Sequence, residues 1–128
     1  MAMSVATVRG FPETLAAIRR LGERGPAAGL AALYREGERI VTEAKKRTPV
    51  ATGALRASGQ TVIDGPSRVV LAFGGAAVIY AVFVHENLSA RHPNGEAKFL
   101  ERPLLEAAKG MDARLAADVR REIERIGR

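Results

Sequence analysis

Apolar side chains recur at helical spacing in three stretches of this chain and at strand spacing in one. Pro12 stands where a first helical turn accepts proline, and Leu15, Ile18 and Leu21 follow at intervals of three until Gly22 and Gly25 interrupt them. This predicts a short helix over 12–23. Pro26 opens a second pattern in which Leu30, Leu33, Tyr34, Gly37, Ile40, Val41 and Ala44 form one stripe, with Arg35, Glu36, Glu38, Arg39, Glu43 and Lys46 mostly off it. The spacing predicts a helix over 26–47. Lys45, Lys46 and Arg47 stand at its end, where cations meet the negative pole of the helix dipole, and Pro49 keeps Thr48 out of helical geometry. Gly37, in the middle, costs about 1 kcal/mol relative to alanine. It reads equally as a tolerated glycine or as a point where another backbone passes close by.

Beyond this helix, Thr52 can cap a short segment over Gly53 to Ala57, after which Ser58 and Gly59 release the chain into extended structure. Two β-branched runs flank the turn residues Asp64, Gly65, Pro66 and Ser67, which predicts a hairpin over 60–74 with Val69, Leu71 and Phe73 on one face. The apolar run within 78–86 fits a third strand or a short buried helix, and periodicity does not arbitrate. Asn87 to Ala97 is polar, contains Pro93, Asn94 and Gly95, and reads as a loop. The last pattern places Pro103 in a first turn and advances through Leu104, Ala108, Met111, Leu115, Val119, Ile123 and Ile126, predicting a helix over 101–126. Arg114, Arg120, Arg121, Glu122, Glu124 and Arg125 cover its other face, which is either solvated or a basic stripe able to touch DNA.

Helix, helix, hairpin and long helix in that order make an α+β domain, a small antiparallel sheet packed against a long central helix and a long C-terminal helix. The 128 residues fit a single domain spanning 1–128, and no internal repeat is visible. Only four Phe, two Tyr and no Trp are available, so the core must be built of Leu, Ile, Val and Ala. The formal charge of +6 suits a polyanionic partner or conduit without proving one. Absence of cysteine excludes disulfides, thiolate metal sites and cysteine nucleophiles, and it allows folding in a cytoplasm. No apolar stretch has the length of a signal peptide core or of a membrane span, so neither secretion nor insertion is expected.

A search for chemistry ends empty. His85 and His92, the two histidines, lie seven positions apart with an Asn between them and a Pro-Asn-Gly turn beyond, not one helical turn apart as a zinc pair requires. No serine occupies a nucleophile elbow, Gly74-Gly75 lacks the Lys-Ser/Thr of a phosphate loop, and the carboxylates are dispersed beside Lys and Arg. The expectation is therefore no enzyme, no metal and no cofactor.

Three segments in fixed order carry a resemblance: Lys46 to Ser58 (KRTPVATGALRAS), Tyr80 to Glu86 (YAVFVHE) and Lys98 to Leu104 (KFLERPL). Together they resemble the neck, or tail-completion, family of long-tailed bacteriophages. There a helix runs into "TPVDTGALRxS", a hairpin and "YAxxVE" follow, and "FLxPAL" opens the last helix. The likeness covers roughly residues 30–110 and rests on Thr48, Pro49, Thr52, Gly53, Leu55, Arg56, Tyr80, Ala81, Val84, Glu86, Phe99, Leu100 and Pro103. Ala51 stands where relatives carry Asp, and His85 precedes Glu86 as an insertion, so the following loop is a variant. These residues read as folding residues: Leu55 as a core anchor, Tyr80 and Phe83 as core, and Phe99 and Leu100 as the dock of the last helix on the sheet. Arg56 is placed to pair with Glu86 or Glu101, or to meet a neighbouring subunit.

The resemblance implies a virion structural protein, folded in the host cytoplasm, that forms a cyclic homo-oligomer, hexameric or higher, at the head–tail junction. Its partners would be the head connector or stopper and the tail terminator or tail tube proteins, with non-specific contact to DNA in the channel and no membrane. A neighbouring ring component, such as a tail terminator or head-closure protein, is the next reading. A basic nucleic-acid-binding module is the reading from a different class.

Overall fold

The computed structural model describes residues 4–48, 56–73, 78–83, 89–90 and 98–126. In chain order the elements are β1 (Ser4–Arg9), α1 (Pro12–Arg20), a 3-10 turn (Gly22–Arg24), α2 (Gly25–Arg47), β2 (Gln60–Ile63), β3 (Arg68–Phe73), β4 (Val78–Phe83), β5 (Ser89–Ala90), α3 (Lys98–Ala108) and α4 (Met111–Ile126). The domain is α+β, with the antiparallel strands β2, β3 and β4 lying against long helices. The apolar run left open between strand and helix is a strand.

The sheet is larger than the hairpin and third strand read from the sequence. Its order is β2-β3-β4-β1-β5, and β1 enters parallel to β4 with Ser4 opposite Val78 and Val8 opposite Val82. The short strand β5 lies within the stretch expected to be a loop and pairs with Val8 and Arg9 only. β1 escaped notice because six residues with small and β-branched side chains carry no period that separates them from a tail.

α2 is the hub, touching β2, β3, α1, α3 and α4. Its stripe buries Leu33, Ile40, Val41 and Ala44 against Val69, Leu71 and Phe73 of β3, all three fully enclosed. Burial of each large side chain stabilises by roughly 1.5–3 kcal/mol. Gly37 lies where this helix meets the sheet, and what crowds it is side chain, not backbone. A β-carbon there would stand 2.9 Å from Thr61 Cγ2, 3.0 Å from Leu71 Cδ2 and 3.2 Å from Val69 Cγ1. Glu36, read as lying off the stripe, is 2% exposed and belongs to the buried side.

The helix expected over 101–126 is two helices. α3 starts three residues earlier, at Lys98, so Pro103 sits inside it and not in its first turn, removing one backbone hydrogen bond. Lys109 and Gly110 then separate α3 from α4, and Gly110 adopts a positive φ of 73°, which only glycine takes without cost. The apolar spacing runs across this break because Leu104 before it and Met111 after it both enter the same core.

Candidate functional site

The first resemblance segment begins where α2 ends. Thr48 is extended (φ −72°, ψ 134°) and buried, its hydroxyl donates to the Ala44 carbonyl at 2.9 Å, and its N–H donates to the Lys45 carbonyl at 3.3 Å. Arg56 Nε donates to that same Lys45 carbonyl at 2.6 Å. Carbonyls at a helix end lack intrahelical partners and form the negative pole of its dipole, so a guanidinium there satisfies both needs. This is a different contact for Arg56 from the carboxylate pairs expected of it, and it is intramolecular. Pro49, Thr52, Gly53 and Leu55 lie outside the described residues, as do Val84 and Glu86.

Of the remaining expected residues, Tyr80 and Ala81 are positions in β4, where Ala81 stands opposite Val70 of β3 and Thr7 of β1. Phe99 and Leu100 lie in the first turn of α3, and Leu100 is fully buried in the common core, as is Glu101 nearly so. Pro103 is buried one turn on. The three segments thus map to the end of α2, the centre of the sheet and the start of α3. Among the described residues, Arg47 of the first segment and Pro103 of the third line one groove, and no residue of the second joins them there.

That groove, of about 360 Å³, opens between α2, α3 and α4. At its floor Glu36 accepts from Arg114 Nη2 at 2.6 Å and also pairs with Arg39. Arg114 further donates to the carbonyls of Ala107 and Lys109 at the end of α3, so one guanidinium joins the α3–α4 break to α2. On the rim Arg47 Nη2 donates to Glu106 at 2.8 Å and lies 3.4 Å from Glu43. The hydrogen bond to Glu106 raises Arg47 above the ordinary arginine value, and the same bond draws the Glu106 carboxyl below the usual carboxylate range. Arg35 is likewise raised, first by its hydrogen bonds to Asp118. Each carboxylate that lines the groove among the described residues is paired with a guanidinium, so the arrangement braces three helices.

Sequence reasoning missed the Glu36–Arg114 brace. The signal was present: Glu36 follows Ala32 by four and precedes Ile40 by four, which places a carboxylate on the apolar face.

Two surface features remain. The edge strand β2 carries the two large hydrophobics that are exposed among the described residues, Val62 at 41% and Ile63 at 50%, and no charge in four residues. At the opposite side of the sheet β5 covers only Val8 and Arg9, which leaves the outer edge of β1 from Ser4 to Thr7 without a strand partner among the described residues. Separately, the ends of α1 and α4 and the start of α2 gather around a groove of about 390 Å³. Arg19, Arg20 and Arg24 lie exposed on α1 and the 3-10 turn, and Arg120, Arg121 and Arg125 on α4.

Among the described residues no group of three His, Asp or Glu is placed to hold a metal, and no helix is long and apolar enough to cross a membrane. His85 and His92 lie outside them. No family model, no curated protein and no solved structure matches this chain.

Proposed function

We propose that the chain is a structural subunit of a phage particle, acting within an oligomeric ring that joins head connector to tail around the DNA channel. The observation that carries this reading is the fixed order of three segments, KRTPVATGALRAS, YAVFVHE and KFLERPL, each similar to a segment of the neck family. Their described residues cap α2, run through the sheet and seat α3, which fits a structural frame more than a reaction centre. A neighbouring ring component of the same junction, a tail terminator or head-closure protein, is the alternative.

A head-to-tail ring needs two different, complementary patches on one chain. The two sheet edges supply such a pair: β2 of one copy can add to the outer edge of β1 in the next, main chain to main chain, with Val62 and Ile63 leaving water on contact. Edge strands of monomers are commonly protected by lysine, proline or a bulge, and β2 has none of these within its four residues.

The test is mass in solution, followed by imaging of particles from a phage lacking this chain. A closed multimer, together with heads and tails that fail to join, is expected. Ile63→Lys places a charge on the edge and should shift the multimer to monomer while the fold, read by circular dichroism, is retained. A strict monomer combined with normal particles after deletion would remove the proposal.

A further inference from the structure

We infer that the arginine-rich end of the helical layer, where α1, the 3-10 turn, α2 and α4 meet, is a surface for the phosphate backbone of duplex DNA. Six arginines gather at this end (Arg19, Arg20, Arg24, Arg120, Arg121 and Arg125) against four carboxylates, Glu23, Asp118, Glu122 and Glu124. Asp118 is already bonded by Arg35 of α2, so the patch is net basic. The elements reach one end together because α4 starts beside the start of α1, at Asp112 and Thr14, and both then run toward the groove lined by Leu21, Arg24, Glu122 and Arg125.

Pairing separates this end from the rest of the molecule. Arg35, Arg39, Arg47 and Arg114 all face a carboxylate, at the Asp118, Glu36 and Glu106 contacts. Arg121 and Arg125 lie 3.6 and 3.3 Å from Asp118 and Glu122, one turn earlier on their own helix. Arg19, Arg20, Arg24 and Arg120 are exposed and meet no carboxylate among the described residues. Unpaired guanidinium groups are the ones free to form forked hydrogen bonds with phosphate oxygens and to release counterions from a polyanion.

The floor of the groove decides which polyanion. Ala27, Ala28 and Ala31 line it with Leu21, and among the described residues no aromatic ring does. Single strands are held by stacking bases on aromatic side chains, which this surface lacks, so contact through the phosphates of a duplex without sequence readout is what it supports. The inference rests on the ring reading for the duplex it meets, and it assigns this end of the subunit to the channel wall.

The test uses the full chain and a random-sequence DNA duplex labelled for fluorescence anisotropy, across a salt series. Arg20→Ser, Arg24→Ser and Arg120→Ser together are compared with Lys46→Ser, Arg102→Ser and Lys109→Ser, which remove the same charge from exposed positions elsewhere. The first triple variant should lose at least about tenfold in affinity and lower the salt slope by up to about three, the second much less. Equal losses in both, no binding by the parent chain, or equally tight binding to polyglutamate would overturn the inference. Mass in solution, read on the same samples, reports the ring reading separately: a multimer that binds no DNA sinks this surface alone, and a monomer that binds DNA through it sinks the ring alone.

Discussion

Asp112 caps the first turn of α1 from the far end of the chain: its Oδ1 accepts both the N–H and the hydroxyl of Thr14, 98 positions earlier, at 2.8 Å, and its Oδ2 accepts the N–H of Glu13 at 2.9 Å. α1 has no capping side chain of its own, since Phe11 occupies the position before it. Replacing Asp112 with alanine should therefore cost about 1–2 kcal/mol in urea unfolding, the value of a good cap, although the residue belongs to another helix. A loss under about 0.3 kcal/mol would show that water replaces it without penalty.

Gly37→Ala sets helix propensity against packing. Alanine gains about 1 kcal/mol in the helix interior. The new methyl group meets Thr61, Leu71 and Val69 at 2.9–3.2 Å, and Leu71 and Val69 are fully buried with little room to retreat. Overpacking of this kind costs about 1–3 kcal/mol, so a net destabilisation of up to about 2 kcal/mol is expected in thermal or urea melts. A stabilised variant would mean that the helix–sheet contact yields easily.

At the Glu36–Arg114 brace the single and double changes should diverge. Arg114→Met leaves a buried carboxylate with Arg39 alone and should destabilise by about 1–3 kcal/mol. Adding Glu36→Leu removes the orphaned charge and should recover most of that loss. Additive losses in this double-mutant cycle would contradict a direct coupling.

The Arg47–Glu106 pair is solvent-exposed, and its effect is readable as a titration. Because the folded-state value of Glu106 is drawn below its ordinary 4.5, whatever the pair contributes is present above that value and is lost as pH falls through the lower, folded value. Carboxyl chemical shifts should show Glu106 titrating below 4.5, and Arg47→Gln should move it back up. An unchanged titration in that variant would place the cause elsewhere.

Much of the frame was legible because its period is strong. α2 and the β2–β3 hairpin follow from apolar spacing and turn residues that admit one reading. The break at Gly110 was hidden because Leu104 and Met111 keep helical spacing across it, and only the glycine itself marked the stop. β1 was hidden because a strand's place in a sheet depends on a partner distant in the chain, which no local pattern records. The surfaces followed the same division. Arginine on α4 was visible as a stripe, yet its convergence with Arg19, Arg20 and Arg24 depends on α1 and α4 running side by side, a tertiary fact anchored by Asp112.

The placement of β1 between β4 and β5 also bears on how the protein is made. A ribosome delivers Ser4 to Arg9 well before their strand partners, Val78 to Val82 and Ser89 to Ala90, which emerge only after α1, α2 and the β2–β3 hairpin have been made. Pairings so distant in sequence form slowly, because loop closure must precede the contacts that reward it. Until then the nascent chain holds the β2–β3 hairpin without its far neighbours, and the edge of β1 does not yet exist as an edge. A subunit that joins its neighbours through that edge would be unable to do so before β4 has been made and has paired with β1.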